Sequence, residues 1–342
     1  MAIASALFRC GFPYIKTLGM RRVTTGTVDV APGENGLVYV LGRSVFLFGI
    51  RILNWDDEDL GYIGREGTND GQFQWPVKLI VDKNQNFIIL DEALNRITTM
   101  SSDGSFISKW GEYGCDEGQL NRPAGMALDK DDNLVIVDGF NHRVQKFTKE
   151  GKFLASWGQY GSEEGQFNTP WGIGIRDDGD IFISDWKNNR VQHFTEDGEF
   201  VKQFGGLSGN DKARLNRPAG VAIDEDGDVY VADRSNSRVQ VFESDGTFVD
   251  AWQSEEIGRP WGMAVGADGT LYVVDGGDPN PMGVQRSRIV RMTLSGEVLD
   301  SFGSYGQYDG QMDWPHDVGV DSEGSVYVGD VHFGMRIQKF VK

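Results

Sequence analysis

Cysteine is scarce, with two in 342 residues, Cys10 and Cys115. Set far apart, they form no disulfide framework, and the simpler reading is a reducing compartment, the cytoplasm. Long apolar runs are also missing. No stretch approaches the ~20 residues that span a bilayer, so no membrane partner is expected. Residues 2–8 are apolar but short, and Arg9 follows them instead of preceding them, the wrong order for a secretory signal. The acid-free start would suit organelle import, but residues 12–19 read as a strand. Positive charge is in short supply, 33 Lys and Arg against 51 Asp and Glu, a net −18. Such a chain repels phosphate backbones, which excludes nucleic acid as the main partner. No phosphate loop, Ser–His–Asp signature or paired cysteines occur.

What the chain has is a repeat. Residues 215–252 hold four short apolar runs, among them Val229-Tyr230-Val231 and Val239-Gln240-Val241-Phe242, separated by turns such as Asp224-Glu225-Asp226-Gly227. Four strands of this length cannot bury both faces alone, so the unit needs copies of itself. The end of the fourth strand recurs at Gly19, Gly64, Gly111, Gly158, Gly205, Gln253 and Gly303, every 45 to 50 residues. That period predicts an all-β chain, a single β-propeller of four-stranded antiparallel blades. Counting gives seven blades, at 20–63, 64–111, 112–158, 159–205, 206–253, 254–303 and 304–342 with 14–19. The N-terminal strand completes the last blade and closes the ring. The first blade is degenerate; as an appendage it would leave six.

Residues 123–147, P-A-G-M-A-L-D-K-D-D-N-L-V-I-V-D-G-F-N-H-R-V-Q-K-F, resemble the NHL repeat almost position for position. The resemblance implies the propeller and little about function, because one fold hosts many activities. Six of the blades also repeat an acid and an arginine across the second turn: Asp91/Arg96, Asp138/Arg143, Asp185/Arg190, Asp233/Arg238, Asp275/Arg288 and Asp330/Arg336, the first blade having Gly42 in place of the acid. Six copies make these structural carboxylate–guanidinium pairs. His142 belongs to the same pattern, and His193 lies in a strand, outward-facing or packed.

Function is expected where copies differ. The proline ending each inter-blade connection starts the innermost strand, so the next residue should face the channel mouth. That ring reads Val77, Ala124, Trp171, Ala219, Trp261 and His316, and Asp317 beside the histidine replaces the usual glycine. An aromatic wall with one titratable group suits a small-molecule site, His316 and Asp317 catalysing and Trp171 and Trp261 holding substrate. The competing reading is that the tryptophans fill the wider gaps of the channel. Trp186, Phe140, Arg234 and His332 on neighbouring turns join the substrate-binding set, and a longer loop at 276–287 would lid the mouth.

The last blade also resembles, distantly, that of peptidyl-hydroxyglycine amidating lyases, which hold zinc with channel histidines. Only His316 matches a ligand position, so the amidating activity is not implied. The cofactor expected is a divalent metal at His316 and Asp317, calcium or zinc. Two functions follow: a metal-assisted hydrolase or lyase acting on a small molecule or peptide at the top face, or a non-catalytic protein-interaction scaffold anchored by Trp186, Phe140 and Phe333.

Overall fold

The computed structural model describes residues 14–18, 27–44, 47–54, 59–206, 212–277, 286–306, 311–321, 324–330 and 337–340. Cys10, His332, Phe333, the Asp330/Arg336 pair and the middle of the 276–287 loop lie outside them. The protein is an all-β propeller of four-stranded antiparallel blades. By contact density it divides into two units, one of residues 67–253 and one of residues 1–66 with 254–342.

The 67–253 unit holds four sheets, each laid down in chain order. In one of them Pro170–Ile175, Ile181–Asp185, Arg190–Phe194 and Phe200–Gly205 follow one another as neighbours. The other unit holds three. Two are sequential, from Thr27–Pro32 to Asp59–Ile63 and from Pro260–Val265 to Val298–Phe302. In the third, Tyr14–Leu18 pairs with Ile337–Phe340 at the far end of the chain, beside Val326–Asp330 and Pro315–Val320.

Burial follows strand position. Second strands such as Leu134–Asp138 are buried throughout, because both faces meet a neighbouring sheet. Fourth strands such as Phe153–Trp157 alternate toward solvent. Between sheets, Val135, Val137 and Val144 pack on Phe167, Ile181, Ile183 and Phe194 of the next. Each such aliphatic or aromatic side chain contributes about 1.5–3 kcal/mol by leaving water. In the other unit Tyr272, Val274, Ile289 and Phe302 do the same against Met312, Val318, Val326 and Val328.

The acid–arginine pairs tie each sheet to the loop before it. Asp138 Oδ2 accepts from Arg143 Nε at 2.9 Å, while the Arg143 head donates to the carbonyls of Cys115, Asp116 and Gln119. Asp185/Arg190 and Asp233/Arg238 repeat this at 2.9 and 2.7 Å. Two copies depart from the expectation. Asp91 accepts instead from the backbone N–H groups of Gln74, Trp75, Ala93 and Leu94, and Arg96 donates to the carbonyls of Thr68, Asn69 and Gln72. Asp275 and Arg288 stand 3.6 Å apart, stretched where the second turn is longest.

His142 is structural: left-handed at φ 56°, it accepts from Thr169 N–H through Nδ1 at 3.0 Å. Burial pushes its pKa down. His193 is packed, stacked on Phe182 with ring centroids 4.4 Å apart and bonded to Asp180 at 2.6 Å. Cys115 is an exposed free thiol. Among the described residues no helix is long and apolar enough to cross a membrane.

Candidate functional site

The first strand of each sheet positions the candidates. Its opening proline pairs with the acid ending the second strand, as Pro170 with Asp185 or Pro315 with Asp330, and the register then slips by a bulge. In the Pro315 sheet the bulge leaves His316 outside the ladder, which resumes with Asp317 opposite Gly329. His316 and Asp317 sit there, both half-buried.

The His316 ring lies against Trp261 of the adjacent sheet, centroids 5.0 Å apart at 49°. Asp317 Oδ1 accepts the Val318 N–H at 2.9 Å, which fixes the carboxylate beside its own backbone. Gly262 makes this approach possible. A Cβ there would lie 2.8 Å from the His316 carbonyl oxygen and 2.9 Å from Asp317 Oδ1, closer than packed atoms sit. These three groups, Trp261, His316 and Asp317, form one cluster.

The remaining candidates lie in the other unit. Trp171 and Trp186 meet each other at 6.1 Å. Phe140 is 49 % exposed, with the Arg122 guanidinium 5.0 Å above its ring. Arg234, expected on the rim, is buried. Ala219, expected in the mouth ring, is wholly buried, and its carbonyl accepts from Ser184 Oγ at 2.8 Å beside Gly172 of the neighbouring strand.

Sequence reasoning missed Asp29. In its sheet Thr27 stands opposite Gly42 and Asp29 opposite Leu41, the offset that Pro315 and Asp317 show. Asp29 Oδ1 accepts the Val30 N–H at 3.0 Å as Asp317 does from Val318, and the side chain is 3 % exposed. The strands neighbour each other, since a Cβ on Gly319 would meet the Val30 carbonyl at 3.0 Å. Lys78 holds the same register in its own sheet. The second position after the opening residue is thus Asp29, Lys78 and Asp317 in three sheets, and Gly125, Gly172, Gly220 and Gly262 in four. The signal was legible: Val28-Asp29-Val30 parallels His316-Asp317-Val318, hidden because the first sheet opens with threonine.

The expected metal finds no matching donor set. Among the described residues no group of three or more His, Cys, Asp or Glu side chains converges, whereas catalytic zinc takes three protein ligands. The His316 and Asp317 pair therefore does not fit that role. Its chemistry is that of an imidazole against an indole, with a carboxylate on the next residue, capable of proton transfer and of holding a flat or apolar group.

Comparison with known proteins agrees with this architecture. The NHL repeat model matches residues 120–147, 167–194 and 215–242. No curated protein matches the chain. A streptogramin B lyase structure superposes with a TM-score of 0.74 at 16% identity over 96% of this chain and 97% of that one. The WD40 propeller domain of Doa1 gives 0.71 at 12% identity over 97% of each. A gluconolactonase from Xanthomonas campestris gives 0.53 at 15% identity, over 79% of this chain and 87% of that one. At such identities the likeness is one of fold. With the repeat matched in three successive sheets and the same strand pattern in the others, the chain is a β-propeller that carries NHL repeats.

Proposed function

We propose that the His316 cluster is a small-molecule site running hydrolase- or lyase-type chemistry, with His316 as general acid–base, Asp317 as its positioning residue and Trp261 as the apolar wall. The observation that carries this is the seating of one histidine against an indole where equivalent positions hold Val28, Val77, Ala124 and Ala219. Imidazole exchanges protons near neutral pH, and Asp317 is the neighbouring acid in the strand. The lyase and the lactonase among the fold neighbours show that this architecture can host such reactions. No step is routed through a metal.

In the same reading each of the seven four-stranded sheets is one blade, and Tyr14–Leu18 completes the last of them. The partner is a small molecule, with nucleic acid and membrane disfavoured by the acidic balance. The scarcity of cysteine supports a reducing, cytoplasmic location in this reading.

The test is a panel of lactones and cyclic esters incubated with wild-type protein, His316→Ala and Asp317→Asn, products read by mass spectrometry. Turnover by the wild type that falls roughly 100-fold or more in His316→Ala is expected for a lost general acid–base. Turnover that survives His316→Ala unchanged, or none across the panel, sinks the assignment.

A further inference from the structure

We infer that the face of the 67–253 unit formed by loops 111–120 and 158–167 is a docking surface for an arginine-rich extended segment of another protein. It is independent of the His316 site.

The two loops are copies. Each is gripped from below by the same set of bonds: Arg143 and Gln145 hold the first, Arg190 and Gln192 the second. They flank one turn, the 139–142 turn. Asn141 donates to the Gly114 carbonyl at 2.8 Å on one side, and the His142 ring supports Tyr160 at 4.9 Å on the other. Phe140 projects from that turn. The result is three exposed aromatic rings on a rigid base, Tyr113 at 71 %, Phe140 at 49 % and Tyr160 at 68 % exposure.

An acid pair follows each tyrosine within its loop, Asp116 and Glu117 in one and Glu163 and Glu164 in the other, all exposed. Among the described residues none has a cation within ion-pair distance. The turns at the opposite ends of these sheets differ. There Asp129 meets Lys146 at 2.8 Å, Glu196 meets Lys130 at 2.6 Å, and Asp132 meets Lys149 at 3.4 Å. Asp116, Glu117, Glu163 and Glu164 have no such partner among the described residues.

The chemistry that would match them is already present once. Arg122 lays its guanidinium over Phe140 and binds Glu92. Tyr113 and Tyr160 offer the same combination of ring and carboxylate with no guanidinium supplied. Arginine fits better than lysine, because its planar head both stacks on a ring and takes a carboxylate bidentately. An extended segment would reach both loops, since both lean on a single turn.

The test uses the full chain and fluorescein-labelled nona-arginine, nona-lysine and a glycine–serine peptide, by anisotropy at about 0.15 M salt, where long-range attraction is screened. Nona-arginine should bind more tightly than nona-lysine, with no binding of the neutral peptide. Tyr113→Ala/Tyr160→Ala should weaken nona-arginine roughly tenfold and abolish the preference over lysine. Neutralising Asp116, Glu117, Glu163 and Glu164 to their amides should weaken both peptides. The same charge change at Glu150, Asp177, Glu225 and Asp226, in turns of the opposite end, should leave nona-arginine within about twofold. Equal weakening by the two charge sets, or an arginine preference that survives loss of both tyrosines, would overturn the inference by reducing it to net charge.

Discussion

The acid–arginine pairs make a quantitative test, because one motif occurs in tight and stretched forms. Asp185 is fully buried and accepts Asn168 N–H at 2.7 Å, Asn188 Nδ2 at 2.8 Å and Arg190 Nε at 2.9 Å. The Arg190 side chain is itself 4% exposed. Asp185→Ala would leave a buried guanidinium without its counter-charge and a buried backbone N–H without its acceptor, at a cost of about 3–5 kcal/mol. Asp275 differs in two ways: its Oδ2 has no hydrogen-bond partner, and Arg288, 3.6 Å away, is 23% exposed. Water can solvate that arginine once the acid is gone. Asp275→Ala should therefore cost about 1–2 kcal/mol, the loss of the bonds from Arg259 and Gly277 N–H. With unfolding entropy near 2.1 cal/mol/K per residue, the first substitution lowers Tm by roughly 4–7 °C and the second by roughly 1–3 °C. Calorimetry on the two variants decides the matter. Equal losses would refute the claim that counter-ion distance and solvent access set the worth of the pair.

Three further outcomes follow from the same geometry. Burial depresses the pKa of His193, although Asp180 opposes the shift. The unfolded chain then binds the proton more readily, so stability is full above about pH 6.5 and is lost as pH falls through the folded value. His193→Gln should flatten that acid-side loss in urea melts taken from pH 7 to 5, and an unchanged slope would show the histidine is silent. Gly172→Ala places a Cβ 2.3 Å from the Ala219 carbonyl oxygen, a backbone atom that cannot step aside. A loss of roughly 2–3 kcal/mol in denaturant unfolding is expected, against about 1 kcal/mol for alanine at Gly118, where nothing lies within reach of the Cβ and the left-handed backbone at φ 82° alone is strained. Arg143→Lys keeps the charge but cannot span Asp138 and three carbonyls together, so amide exchange in loop 111–120 should accelerate while that in loop 158–167 stays unchanged.

Much of the fold was legible because propeller blades speak through repetition. The spacing of Gly111, Gly158 and Gly205 placed the fourth strands, and the Asp-Arg register placed the second turns, since each copy solves the same local problem of joining a loop to a sheet. What repetition could not convey was the fate of a residue whose copies play different parts. Ala219 reads as one more member of the mouth ring; in the structure it is wholly buried, with its carbonyl bonded to Ser184 two strands away. Asp91 and Arg96 match the motif in type and spacing, but the loop of residues 68–74 supplies enough backbone donors and acceptors to satisfy each separately. Side-chain identity fixed which groups needed partners and left the choice among them to loop geometry.

The same reasoning explains why Asp29 escaped notice and why it bears on the candidate site. Glycine holds the second inner-strand position in four sheets, where neighbouring strands approach so closely that a Cβ on Gly172 or Gly262 would strike a carbonyl. A carboxylate at that position must therefore be accommodated by a neighbouring strand that stands off, or by a local bond that folds the side chain against its own backbone. Asp29 and Asp317 use the second device, each accepting the next residue's N–H. Burying a carboxylate this way costs free energy that glycine avoids, and an unselected surface acid has no reason to sit 3 % exposed on a first strand. Two such departures on adjacent strands, one of them beside the His316 and Trp261 pair, mark the place where this propeller gives up the economy of its repeat, and that is where its chemistry is to be sought.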